Sequence, residues 1–314
     1  MNLDKPKSVR LEACTICQLK CKSCYMRNQE NSIGTGYLKF ENFKNFVDQN
    51  NFIENIELSN SGEIFLNPDL LKIIKYAHEK GVTLTAYNGV NFNDVSEEMI
   101  EALVKYNFQK ITFSIDGTTQ ESYSKYRVGG NFNKVIENIK KLNSHKEKYN
   151  STLPELKYQF IIFGHNEKEI PEAKRLAKEL NMEINFKFNW DRNFSPIQDL
   201  DFVQKELEEY NKPKNCEHKI QKSYCIKMWT QPQINWDGRL LGCCCASNYD
   251  YEANVFEIGL ENALKSEKFY YSKQMLMGQT PSDTAFLCAR CGNYHSMVKN
   301  NDYVKKEEII EYLK

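Results

Sequence analysis

Six short runs of β-branched and aromatic residues, separated by helical patterns, fill the first 190 residues and leave few topologies open. The strand runs are 8–13, 53–59, 82–87, 110–115, 156–163 and 183–188, and the helices between them read at 40–48, 68–80, 96–106, 132–145 and 171–180. Such alternation is the pattern of βα units around a parallel sheet. Ser96 with Glu97 and Glu98 behind it, and Gly81 just past Lys80, give matching helix start and stop signals. The expected fold class is therefore α/β, a partial (β/α)6 barrel of the TIM type. In such barrels chemistry sits where strands end and βα loops begin.

Past Trp190 the alternation stops and a polar stretch with one short helix (200–210) follows. We expect a barrel over 1–195, a linker over 196–215 and a small α+β unit over 216–314. That unit should hold a hairpin, 233–236 and 239–243 turned by Asp237-Gly238, then a helix near 261–269 and a solvated helix over 305–314. Lys and Arg total 42 against 42 Asp and Glu, so the chain has no electrostatic footprint for nucleic acid or an anionic membrane. Mean hydropathy is −0.64, no apolar run nears the roughly 20 residues of a spanning helix, and residues 1–10 lack a signal-like core. The expectation is a cytoplasmic protein without nucleic-acid or membrane partners. There, 11 cysteines read as metal ligands or catalytic thiols rather than disulfides.

Four of them, Cys14, Cys17, Cys21 and Cys24, fall within eleven residues directly after the first strand. Paired CxxC knuckles for tetrahedral zinc are usually farther apart, whereas an iron–sulfur cube takes closely spaced thiolates from one loop. The spacing Cys17-xxx-Cys21-xx-Cys24 resembles the signature of the radical S-adenosylmethionine (SAM) enzymes. The resemblance implies a [4Fe-4S] cluster on these three thiols, with the fourth iron open to SAM. An open position is what any catalytic metal site keeps for its reactant. If Cys14 closed that position, the cluster could only carry electrons. Ser23 stands where the family has an aromatic residue, and Tyr25 follows the last thiol as the candidate adenine contact.

Later strand ends carry further parts of the same resemblance. Gly62-Glu63 is similar to the family's Gly-Gly-Glu segment at the SAM ammonium, with Ser61 in place of the first glycine. Ser114, Asp116 and Arg127, in Ser114-Ile-Asp116-Gly and Arg127-Val-Gly-Gly, are implied near the ribose and the SAM carboxylate, where a planar guanidinium pairs well. Asn166 is a candidate on the adenine side. By itself each of these also reads as an ordinary turn or surface residue.

A second set comprises Cys225, Cys243, Cys288 and Cys291, with Gly238 five positions before Cys243. It resembles the SPASM or shorter twitch extension and implies one auxiliary [4Fe-4S] cluster; four-thiolate zinc is the competing reading. Cys216, Cys244 and Cys245 remain, and Cys244 and Cys245 are candidate catalytic thiols. The resemblance implies reductive SAM cleavage followed by hydrogen abstraction, fed by a reductant such as flavodoxin or ferredoxin. The favoured outcome is dehydrogenation of a carbohydrate-like small molecule, with the auxiliary cluster as electron acceptor. Peptide modification is the alternative, weighed down by the shortness of the segment ahead of the barrel. Epimerisation with a cysteine hydrogen donor and a non-enzymatic two-cluster electron carrier complete the set.

Overall fold

The computed structural model describes residues 3, 5–24, 26, 33–191, 193–208, 222–243 and 250–313. Six parallel strands follow one another in space as in sequence: β1 (Ser8–Leu11), β2 (Asn55–Glu57), β3 (Thr83–Val90), β4 (Lys110–Ser114), β5 (Glu155–Ile162) and β6 (Glu183–Phe188). Helices α1 (Phe40–Gln49), α2 (Leu70–Lys80), α3 (Glu97–Lys105), α4 (Gln120–Tyr126), α5 (Phe132–Lys148) and α6 (Ile170–Glu179) make the crossovers that parallel strands require. Each buries a stripe at helical spacing, such as Leu70, Ile73, Ile74 and Ala77 on α2. Ser96 Oγ accepts the Met99 N–H at 3.2 Å, capping α3, and Gly81 ends α2 at φ +71°.

Strand alternation sorts the side chains by chemistry. Val9, Leu11, Ile56, Leu84, Ile111 and Phe113 join the helices in one apolar core. Arg10, Glu57, Thr112 and Gln159 lie at the alternate positions and are buried too, so the concave face of the sheet is polar. The sheet is open. Its order is β6-β5-β4-β3-β2-β1-β7-β8-β9, where β7 (Gln233–Ile234) lies parallel to β1, and β8 (Arg239–Leu241) and β9 (Asp250–Asn254) continue antiparallel. The hairpin expected at Asp237-Gly238 thus extends the barrel sheet across the region expected to divide the chain.

After β6, α7 (Leu200–Leu207) packs on α6. Beyond it come α8 (Lys222–Thr230), α9 (Val255–Ile258), α10 (Leu260–Leu264), α11 (Glu267–Leu276), α12 (Gly292–Asn300) and α13 (Lys306–Leu313). Two expectations need correction. The single helix near 261–269 is two, because Ser266 takes an extended backbone (ψ 146°) and restarts the helix as α11. The terminal helix is not simply solvated: Ile309 and Leu313, four residues apart, are buried, and Lys222 at the start of α8 pairs with Glu308. No described helix is long and apolar enough to cross a membrane.

Candidate active site

The C-terminal ends of β1 to β4 and the loops that follow enclose a cleft of about 390 Å³, within the range of cofactor sites. Cys17, Cys21 and Cys24 line it together with Arg127, Ser114 and Gly62. The thiols share one loop after β1, and that loop is held by backbone bonds from Glu63 N–H to Ile16 O (2.8 Å) and from Lys20 N–H to Val128 O (2.8 Å). Gly62 is required for this seating. Its φ is +66°, and a Cβ there would lie 2.4 Å from Cys14 O.

Glu63 is buried, and its carboxylate is already engaged: it accepts the Asn91 N–H at 2.6 Å and the Phe65 N–H at 3.4 Å. Burial pushes its pKa up to about 7 against the pull of these amides and that of Phe92. Asp116 has no exposure and receives both Arg127 Nε and Nη2 at 2.5 Å on one oxygen and the Ile161 N–H at 2.7 Å on the other. Arg127 Nη1 reaches Cys21 Sγ at 3.6 Å, so the guanidinium bridges a buried carboxylate and a thiol on the cleft wall. Burial raises the Cys21 thiol above its ordinary pKa, and Arg127 opposes that rise.

Asn166 does not line the cleft. Its Oδ1 accepts the Phe163 N–H (2.7 Å) and its Nδ2 donates to the Asp116 (3.1 Å) and Ile161 (3.0 Å) carbonyls, so its amide braces the loop after β5. Asp116 likewise stands behind Arg127 rather than on the cleft surface. Tyr25 lies outside the described residues.

The radical SAM superfamily matches residues 11–177, just over half of the chain, which takes in the β1 loop, Gly62-Glu63 and Arg127. This chain belongs to the radical SAM superfamily. It is similar to the antilisterial bacteriocin subtilosin biosynthesis protein AlbA of Bacillus subtilis (26% identity; 62% of this chain, 42% of the relative). It is also similar to the AdoMet-dependent heme synthase of Methanosarcina barkeri (27% identity; 56% of this chain, 48% of the relative). The chain spans about half the length of these curated relatives. In fold it resembles Streptococcus suis SuiB, solved bound to S-adenosylmethionine and to precursor peptide SuiA (14% identity, TM-scores 0.67 and 0.66, 93% of this chain, 72% and 70% of those chains).

Membership implies SAM and a [4Fe-4S] cluster in this radical SAM protein. The donor set fits. Three thiols of one loop face a cleft that also holds a cation, and a cluster with thiolate ligands carries negative charge that a cation favours. In the C-terminal part, Cys225 on α8, Cys243 after β8, Cys288 and Cys291 line one small pocket whose other walls are Met228, Leu276, Leu287 and Tyr294. Cys291 directly precedes α12, where the helix dipole favours a thiolate. Four thiols in an apolar pocket likewise suit an iron–sulfur group. Among the described residues no three ligand-type side chains sit close enough to share one metal ion. Cys216, Cys244 and Cys245 lie outside the described residues; Cys14 is buried beside the loop, and its thiol donates to Ile16 O at 3.7 Å.

Sequence reasoning missed Asn91 and Trp190, which both line the cleft of this radical SAM protein. For Asn91 a signal was present: the run Asn88-Gly-Val-Asn91-Phe-Asn93 ends a strand with side chains that bond locally to backbone. Trp190 had only its place after β6.

Proposed function

We propose that Cys17, Cys21 and Cys24 hold the [4Fe-4S] cluster with one iron left for SAM, and that the cleft directs radical chemistry at a peptide side chain. When bound, the cluster supplies the electron that splits SAM into methionine and a 5′-deoxyadenosyl radical, which takes a hydrogen atom from the substrate. The chain's own part is to hold, orient and shield. Arg127, fixed by Asp116, keeps a positive charge beside Cys21 and toward the cleft, where a carboxylate can share it. Glu63 ties the β2, β3 and cluster loops together, so in this reading it positions the SAM site from behind while Gly62 presents backbone to the cleft.

The observation that carries the peptide reading is the open side of the sheet. Strand β6 pairs with β5 alone among the described strands; its last residue, Phe188, is 54% exposed, and Trp190 just past it is 65% exposed and on the cleft wall. An edge strand flanked by exposed aromatic side chains suits an extended peptide, which can add main-chain bonds along the edge and seat side chains in the cleft. The names of AlbA and of the SuiB complex with SuiA support the same reading. A second reading, dehydrogenation of a carbohydrate-like small molecule, rests on the polar floor made by Thr15, Asn91 and Ser114.

Cys225, Cys243, Cys288 and Cys291 would hold an auxiliary [4Fe-4S] cluster able to accept an electron from the substrate. A one-electron donor such as flavodoxin or ferredoxin completes the system. We place the protein in a reducing cytoplasm, where its thiols stay available to iron.

Anaerobic incubation with SAM and dithionite, with and without candidate peptides or polyols, tests both readings. The expected result is 5′-deoxyadenosine formation stimulated by peptide, with deuterium transfer from a labelled side chain. Absence of 5′-deoxyadenosine from iron-replete protein overturns the radical reading. Stimulation by polyols alone replaces the peptide reading with the second.

A further inference from the structure

Asn91, just past β3, is 5% exposed, and its Nδ2 donates to Cys17 Sγ at 3.7 Å from the cleft wall. The orientation of this amide is fixed by its surroundings. Its Oδ1 accepts the backbone N–H of Asn93 at 3.0 Å, a group that can only donate, so Nδ2 is the end that faces Cys17. Gln18 locks the amide further through a reciprocal pair, accepting from Asn91 at 3.1 Å and donating back at 3.2 Å. The Asn91 backbone N–H is held by the buried Glu63 carboxylate at 2.6 Å. A side chain fastened at so many points is not free to follow solvent; it presents one donor to one sulfur.

We propose that Asn91 is a positioning and redox-tuning residue of the SAM-binding cluster, its amide directing a hydrogen bond at the Cys17 thiolate that favours the reduced state. The proposal rests on the reading of Cys17, Cys21 and Cys24 as the ligands. Reduction adds an electron whose charge spreads onto the ligating sulfurs, so a donor aimed at one of them stabilises the reduced form more than the oxidised form. Outer partners of ligands commonly act in this way. Arg127 does the same at Cys21, but it also belongs to a buried ion pair, which makes Asn91 the cleaner probe.

The full chain with reconstituted clusters is compared as wild type, Asn91→Ala, Asn91→Asp and Cys17→Ala. Iron is counted and a redox titration follows the EPR signal that SAM perturbs, so that an auxiliary cluster does not enter the reading. In Asn91→Ala the iron content is retained. At the potential where the wild type is half reduced, the ratio of reduced to oxidised cluster falls about threefold to tenfold, tenfold being about 59 mV for one electron. Asn91→Asp keeps the shape and sets a carboxylate against the thiolate, so its fall is larger. An unmoved midpoint in both variants with full iron overturns the proposal, and so does loss of the cluster from both, which makes Asn91 a folding element only. Retention of the SAM-sensitive signal in Cys17→Ala instead overturns the ligand reading, whatever Asn91 does.

Discussion

Replacing Asp116 by Asn removes the charge from a carboxylate with no solvent exposure whose Oδ2 receives two guanidinium donors at 2.5 Å. The amide would keep the bond from the Ile161 N–H through its oxygen, but its NH2 group would face Arg127, donor against donor. Stranding one partner of a buried pair costs about 3–5 kcal/mol. Arg127 keeps 13% side-chain exposure and a thiol partner, so the lower end, about 3 kcal/mol, applies. At roughly 2–4 °C per kcal/mol for a chain above 150 residues, Tm should fall by roughly 6–12 °C. An anaerobic thermal melt followed by far-UV circular dichroism, at one scan rate for all variants, reads this. Arg127→Met combined with Asp116→Asn should lose less than the sum of the two single changes, because the second change removes the stranded charge. A fall under about 2 °C, or strict additivity, would mean that the pair does not exist in solution and that Arg127 is not anchored as described.

Gly62→Ala forces a side chain into left-handed backbone 2.4 Å from Cys14 O; it should cost about 2 kcal/mol or more and roughly halve the bound iron by unseating the β1 loop, which iron quantitation checks. The pKa of Glu63 is raised to about 7 from 4.5, so folding disfavours its ionised form. Its penalty is absent below about pH 4.5, grows as the pH rises to about 7 and then levels at roughly 3 kcal/mol; Glu63→Gln should flatten that slope in denaturation curves taken across this window. Trp190→Ala removes exposed cleft wall and should raise the KM for a peptide substrate about tenfold, read from 5′-deoxyadenosine formation across a range of peptide concentrations.

The six βα units were legible because their signals are local. Leu70, Ile73, Ile74 and Ala77 announce a helix face from four letters at the right spacing, and Ser96 and Gly81 mark ends by their own backbone chemistry. The three thiols of the β1 loop and Gly62 were legible for the same reason. What escaped was set by side-chain pairings that no local pattern announces. Asp116 and Asn166 sit at strand ends as a cofactor contact would, yet Arg127 takes up one and backbone groups of its own loop and of the preceding β4 loop take up the other. Glu63 reads as a contact of the SAM ammonium from its motif, and its bond to the Asn91 N–H is visible only in the fold. Ile309 and Leu313 were hidden in a charged stretch, and only the packing of α13 against α8 shows their face to be dry.

The pairing of β1 with β7 also bears on how the chain is made. Arg10 lies opposite Gln233, so β1, the stem of the cysteine loop, has β2 on one side from early in synthesis and gains its other neighbour about 220 residues later. Until then its free edge is a row of unpaired amides and carbonyls on a nascent chain, open to pairing with whatever strand comes near. Because the loop grows from that strand, iron delivered before residue 233 has left the ribosome would meet thiols on an unfinished support. A chain cut before residue 233 should therefore keep one edge of β1 unpaired and hold the cysteine loop less firmly.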